Sequence, residues 1–186
     1  MARTSARQRG ASMIEVLVTI VIIAFGLLGM AGLQVRLQVS EMESYQRSQA
    51  LLLLNDMASR MATNRNNAAS YVTTVAIPLG AGMTCPTTTT TVVQRDLGEW
   101  CNALQGAGET MDAGATKVGA MVGGRGCVES VGSDYLVTVA WQGLTPIAAP
   151  PASVACAANS YNGATGPCVN DLCRRTVTSL VRIATL

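Results

Sequence analysis

Arg9-Gly10-Ala11-Ser12-Met13-Ile14-Glu15 runs directly into an apolar segment that lasts to Leu33, and the reading of this stretch decides that of the whole chain. From Met13 to Leu33 the only charged residue is Glu15, and Val, Ile, Leu, Ala, Gly and Met dominate the rest. At about 1.5 Å of rise per residue, about 20 such residues cross the hydrocarbon core of a bilayer as a helix. The segment is therefore predicted to span a membrane. Arg3, Arg7 and Arg9 precede it, with no acid before Glu15. Basic flanks stay on the cytoplasmic side, so the remainder of the chain is sent outward, in a bacterium to the periplasm.

A removable secretory signal also begins with basic residues, but its apolar core is only about 7–15 residues long and ends at a small-x-small cleavage site. Gly29-Met30-Ala31 offers such a site. The run here is longer, and its polar punctuation lies at the front, Gly10 followed by Glu15. A carboxylate at that depth costs a few kcal/mol or more unless it is partnered or near the interface. A segment that is discarded has no use for one.

The chain has 186 residues, 49% hydrophobic and 13% charged, with six Cys and no His. Beyond the span about 150 residues remain, enough for one modest domain with a single core. Loss of Arg3, Arg7 and Arg9 would take the 13 Lys and Arg to ten against 11 Asp and Glu, one net negative charge. Such a surface does not attract nucleic acid.

Cys85, Cys101, Cys127, Cys156, Cys168 and Cys173 all fall on the exported side. An even count in an oxidising compartment reads as disulfides. Absence of His and of any Cys-x-x-Cys argues against a metal site. Cys85 is expected to pair with Cys101, and Cys156 with Cys168 or Cys173.

The helical pattern continues past Leu33, since Gln34–Asn64 contains no Gly or Pro and is rich in good helix formers. Span and continuation are predicted to form one helix, ending near Asn64, Asn66 and Asn67. Ala50, Leu53, Leu54, Met57 and Met61 fall at helical spacing and form an apolar stripe suited to packing on a sheet. Gly26, Gly29 and Gly32 suit either close helix approach or local unwinding, or are the glycines that membrane helices commonly tolerate.

From Ala68 to Gly126 periodicity is lost, and Thr87–Thr91 is an unbroken Thr run. This region is read as a long connection with short elements at most, clamped by Cys85 and Cys101 around a Leu97–Trp100 turn. Cys127–Val131, Gly132-Ser133-Asp134 and Tyr135–Gln142 form a predicted hairpin, with Tyr135, Val137, Val139 and Trp141 on one face. Val177–Ala184 is its expected partner. Residues 143–173, with Pro146, Pro150, Pro151 and three Cys among them, read as a disulfide-stapled excursion.

Without His, neither a Ser-His-Asp nor a Cys-His arrangement is available. Asp96 with Glu99, and Glu109 with Asp112, are carboxylate pairs that could hold Ca²⁺ or act as acid and base. Solvated polar loops explain them better. Neither a metal nor a cofactor is expected, and no enzymatic activity.

The basic leader, Gly10, Glu15 and the apolar helix together resemble the class III signal of type IV prepilins. The Cys85 and Trp100-Cys101 pattern, the run Tyr135–Gly143 and the closing strand Arg174–Leu180 resemble minor pilins of the PilV kind, type IV pilus modification proteins. The resemblance implies an α+β type IV pilin fold, a long N-terminal helix packed against an antiparallel sheet with stapled loops. It implies a leader at 1–10, a membrane or filament-core helix at 11–33, its periplasmic half at 34–66 and a globular domain at 67–186. Prepilin peptidase would cut between Gly10 and Ala11, and Ala11 would be N-methylated. Glu15 would act in assembly, pairing with the N-terminal ammonium of a neighbouring subunit. The implied partners are other minor pilins, the major pilin, a large pilus-tip adhesin and the inner-membrane assembly platform. The implied role is in priming pilus assembly and in the tip complex, supporting adhesion and twitching motility. The alternatives are a minor pseudopilin of a type II secretion system, and a membrane-tethered periplasmic enzyme or binding domain.

Overall fold

The computed structural model describes residues 12–111, 116–119 and 121–183. Helix α1 runs unbroken over Met13–Thr63. The chain divides into two compact units, the first ending at Glu41 and the second beginning at Met42. In the first, every side chain from Met13 to Leu37 is exposed.

In the second unit, α1 buries Gln46, Ala50, Leu54, Met57 and Met61. These recur every three or four residues, so they line one side of the helix. Leu53, read from the sequence as part of the same stripe, is half-buried at its margin. After Thr63 the chain tightens into a 3-10 helix, Arg65–Tyr71.

The stripe packs on a four-stranded antiparallel sheet. Its strands are β1 (Leu79–Gly80), β4 (Arg125–Val131), β5 (Asp134–Gln142) and β6 (Arg174–Val181), in the order β1-β4-β5-β6. A separate ribbon pairs β2 (Thr110–Met111) with β3 (Thr116–Lys117). Strands β4 and β5 form the expected hairpin, with Val131 opposite Asp134 across Gly132-Ser133. Gly132 holds a φ of 63°, a left-handed conformation that glycine adopts freely. Val128, Val137, Val139, Trp141 and Val181 join the α1 stripe in the core. On the opposite face, Ala140, Ala157 and Tyr161 make a smaller cluster under the excursion between β5 and β6. The fold is the α+β type IV pilin architecture.

Three expectations need correction. The region after Ala68 is not a mere connection: Val92–Leu104 forms helix α2. Thr91 caps it by accepting the Gln94 N–H at 3.2 Å while the Gln94 side chain accepts the Thr91 N–H at 3.2 Å. Val93, Trp100, Cys101 and Leu104 are its buried side. The Leu97–Trp100 segment is thus helix, not turn. The sequence signal was there, a Thr-x-x-Gln followed by apolar residues at helical spacing, but it was masked by the Thr run in front.

Strand β6 begins at Arg174 rather than Val177, and ends at Val181, before Ala184, which lies outside the described residues. Two arginines do not look like a strand start, yet Arg174 is only 3% exposed. It donates through Nε to Asp171 at 3.1 Å and through Nη1 to the carbonyls of Val154 at 2.7 Å and Cys156 at 3.0 Å. That set of acceptors exists only in the folded chain.

Disulfides join Cys85 to Cys101, Cys127 to Cys156 and Cys168 to Cys173. The expected pairing of Cys156 with Cys168 or Cys173 is not found. Cys127 lies opposite Thr138 on the outer sheet face, where the excursion folds back and brings Cys156 against it. Cys168 and Cys173 close their own short loop.

Candidate functional site: the N-terminal segment

The residues that carry the expected function sit at the start of α1. Gly10 and Ala11 lie outside the described residues. Ser12 caps the helix: the Glu15 N–H donates to the Ser12 carbonyl at 3.0 Å and to Ser12 Oγ at 3.3 Å, and the Val16 N–H to the same carbonyl at 3.3 Å. A Ser before the first turn satisfies amides that have no intrahelical partner. Ser12-Met13-Ile14-Glu15 has the spacing of a capping box, a signal the sequence reading passed over. Glu15 stands in the first turn, where the positive end of the helix dipole favours a carboxylate. Local physics therefore gives a carboxylate a reason to stand in this first turn.

Beyond it, α1 contains a window of mean hydropathy 2.7 with none of its surface buried in the protein. An unburied apolar helix must be covered by lipid or by other chains. At Gly26, Gly29 and Gly32 there is open space where a side chain would be. The three leave a strip without side chains on this part of the helix.

Residues 5–31 match the family model of the prokaryotic N-terminal methylation motif. This chain carries a prepilin-type signal. The match covers Arg7 and Arg9 of the leader, Gly10, Glu15 and most of the apolar run, and leaves the second unit unmatched. Comparisons with curated proteins and with solved structures gave no match. Prepilin-type signal and pilin architecture together support a type IV pilin or pseudopilin, anchored in the membrane by α1 and handled by prepilin peptidase and the pilus assembly machinery. Both features are those of a structural protein.

The first carboxylate pair does something else. Asp96 and Glu99 project from α2 onto Arg60 of α1, at 2.9 and 2.7 Å, and Asp56 meets the same guanidinium at 3.0 Å. Burial works against the Arg60 charge, but the hydrogen bonds to Glu99, Asp56 and Asp96 outweigh it and raise its pKa. Tyr71 also hydrogen-bonds Asp96 and accepts from Asn64 at 3.1 Å. The network clamps α2 and the 3-10 helix to α1, so these acids are engaged as a structural cluster. Asp112, the partner considered for Glu109, lies outside the described residues. Among the described residues no group of three His, Cys, Asp or Glu could hold a metal ion.

Proposed function

We propose that the chain is a minor subunit of a type IV pilus, of the PilV kind, which takes part in priming assembly and in the tip complex and so supports adhesion and twitching motility. It is a structural subunit without catalytic activity. The observation that carries this reading is the joining of a methylation motif to one unbroken helix whose far half builds a pilin domain. A merely tethered periplasmic domain needs neither Glu15 nor a span continuous with its own core. Three disulfides favour a pilus subunit over a secretion pseudopilin, which resembles it at the N-terminus but usually has fewer cysteines.

In this reading residues 1–10 are the cytoplasmic leader, 11–33 the membrane and filament-core helix, 34–66 its periplasmic half and 67–186 the globular domain. Prepilin peptidase cuts after Gly10, Ala11 is N-methylated, and Glu15 pairs with the N-terminal ammonium of a neighbouring subunit. Other minor pilins, the major pilin, a large tip adhesin and the inner-membrane platform are the partners. Before assembly the domain is periplasmic, and afterwards it lies at the pilus tip.

Intact mass of the membrane-extracted protein tests the pilin-superfamily part of this reading. Loss of residues 1–10 with one added methyl group is the expected result. Cleavage after Ala31, or retention of the leader, contradicts it.

A further inference from the structure

The two edges of the sheet are protected unequally. Strand β1, at one edge, is two residues long and packs against α2. Strand β6, at the other, is eight residues long. Among the described residues, no backbone group from Thr176 to Val181 bonds to anything but β5. Natural edge strands are blunted by Pro, by central charges, by bulges or by a covering element. Thr176-Val177-Thr178-Ser179-Leu180-Val181 has neither Pro nor charge, and Leu180 is 46% exposed.

Beside the start of this edge lies a cleft of about 450 Å³, lined by Glu43, Ser44, Arg47, Trp141, Ile147 and Arg175 among others. All belong to the second unit. Ile147 on its rim is 58% exposed. Arg175 is engaged, donating to the carbonyls of Thr145 at 2.6 Å and Leu172 at 3.1 Å, with Glu43 3.5 Å away. Arg47 makes no ion pair among the described residues. The cleft therefore carries one positive charge in excess, beside an apolar rim, at the mouth of an open strand edge.

We propose that β6 accepts an extended segment of another protein as a fifth strand, with an acidic side chain at Arg47 and a large apolar one over Ile147. Main-chain hydrogen bonds to the edge supply affinity, and the alternate side chains that reach the cleft supply selectivity. Charge decides the class of partner. A second copy would offer the same strand, which contains Arg174 and Arg175 and no acid, so its charges add to those of the cleft. A segment with an acidic end cancels them. The inference concerns the second unit alone and stands independently of the pilus reading.

The test uses the full chain in detergent micelles and three labelled peptides of about ten residues, in keeping with common strand lengths. The first alternates Thr and Val and has Asp-Thr-Leu at one end, so that Asp and Leu share a face. The second is the same peptide N-methylated at alternate amides, and the third has Lys in place of Asp. The acidic peptide should bind saturably and slow hydrogen exchange between Thr176 and Val181, and the N-methylated one should not bind. Arg47→Glu, at an exposed position, should weaken the acidic peptide about tenfold and favour the Lys peptide. No saturable binding, equal binding of the N-methylated peptide, or indifference to Arg47→Glu overturns the proposal. So does self-association through β6 that the acidic peptide displaces, which would make a second copy the occupant.

Discussion

The ring of Trp100 occupies the space that a side chain on Gly126 would need: a Cβ there would stand 2.2 Å from Cη2 of the indole. The same indole donates its N–H to the carbonyl oxygen of Leu53 at 2.8 Å. One side chain of α2 thus fixes the helix against β4 and against α1.

Gly126→Ala should lower stability by about 1–3 kcal/mol through overpacking, and Trp100→Phe by about 2–4 kcal/mol through lost volume and the lost hydrogen bond. The double variant should cost less than the two separate losses together, because the smaller ring leaves room for the methyl group. Urea denaturation of the four proteins measures the coupling. Simple additivity would contradict the contact.

Alkaline pH should destabilise the second unit. Burial pushes the Tyr161 hydroxyl up to about 12, against the opposing effect of Arg125, and the O–H donates to the Gly123 carbonyl at 2.8 Å. Burial, with the hydrogen bond to Asp96, raises Tyr71 as well. A tyrosine whose folded pKa lies above the unfolded value of about 10 holds its proton more tightly when folded. Its contribution is complete below about pH 10 and is lost as pH rises through the folded value, up to about 2–3 kcal/mol for Tyr161. Tyr161→Phe should therefore flatten the decline in denaturation midpoint between pH 9 and pH 12. An unchanged slope would show that Tyr161 is not the group responsible.

Arg174→Leu should cost about 3–5 kcal/mol, since it strands the Asp171 carboxylate and leaves the carbonyls of Val154 and Cys156 without this donor. Asp171 also accepts the Asn159 N–H at 2.7 Å, so the damage should spread through the excursion before β6. Hydrogen exchange should rise between Val154 and Cys173 and stay low in α2. Uniform loss of protection would argue for a global effect instead.

If the cut falls after Gly10 as proposed, Gly10→Val should leave a full-length precursor in the membrane, because a side chain there obstructs processing. On the proposed reading Glu15→Ala should still be cleaved, yet fail to co-purify with other minor pilins, since the proposed pairing of this carboxylate with an N-terminal ammonium is then lost. Undiminished recovery of the complex with Glu15→Ala rules the pairing out.

Much of this fold was legible because its signals are local. The apolar run to Leu33, the stripe at Ala50, Leu54, Met57 and Met61, and the alternation of Tyr135, Val137, Val139 and Trp141 each repeat with the period of the element they form. Helix α2 was equally legible in principle, from Thr91, Gln94 and its spaced apolar residues. It was lost because a Thr-rich, Gly-rich neighbourhood lowers helix propensity on average while a cap acts at a single residue.

By itself the sequence determined the membrane-type helix, its continuation into the second unit, the signal around Gly10 and Glu15 and the β4–β5 hairpin. All of these are set by side chains within a few residues of one another. Only the tertiary structure decided that Cys156 meets Cys127, that Arg174 is buried at the start of a strand, that Trp100 lies over Gly126 and that the start of β6 lines a cleft with Arg47. Each of those depends on distances between residues far apart in the chain. Such distances arise when the apolar faces of α1, α2 and the sheet are removed from water together, and no periodicity in the sequence encodes them.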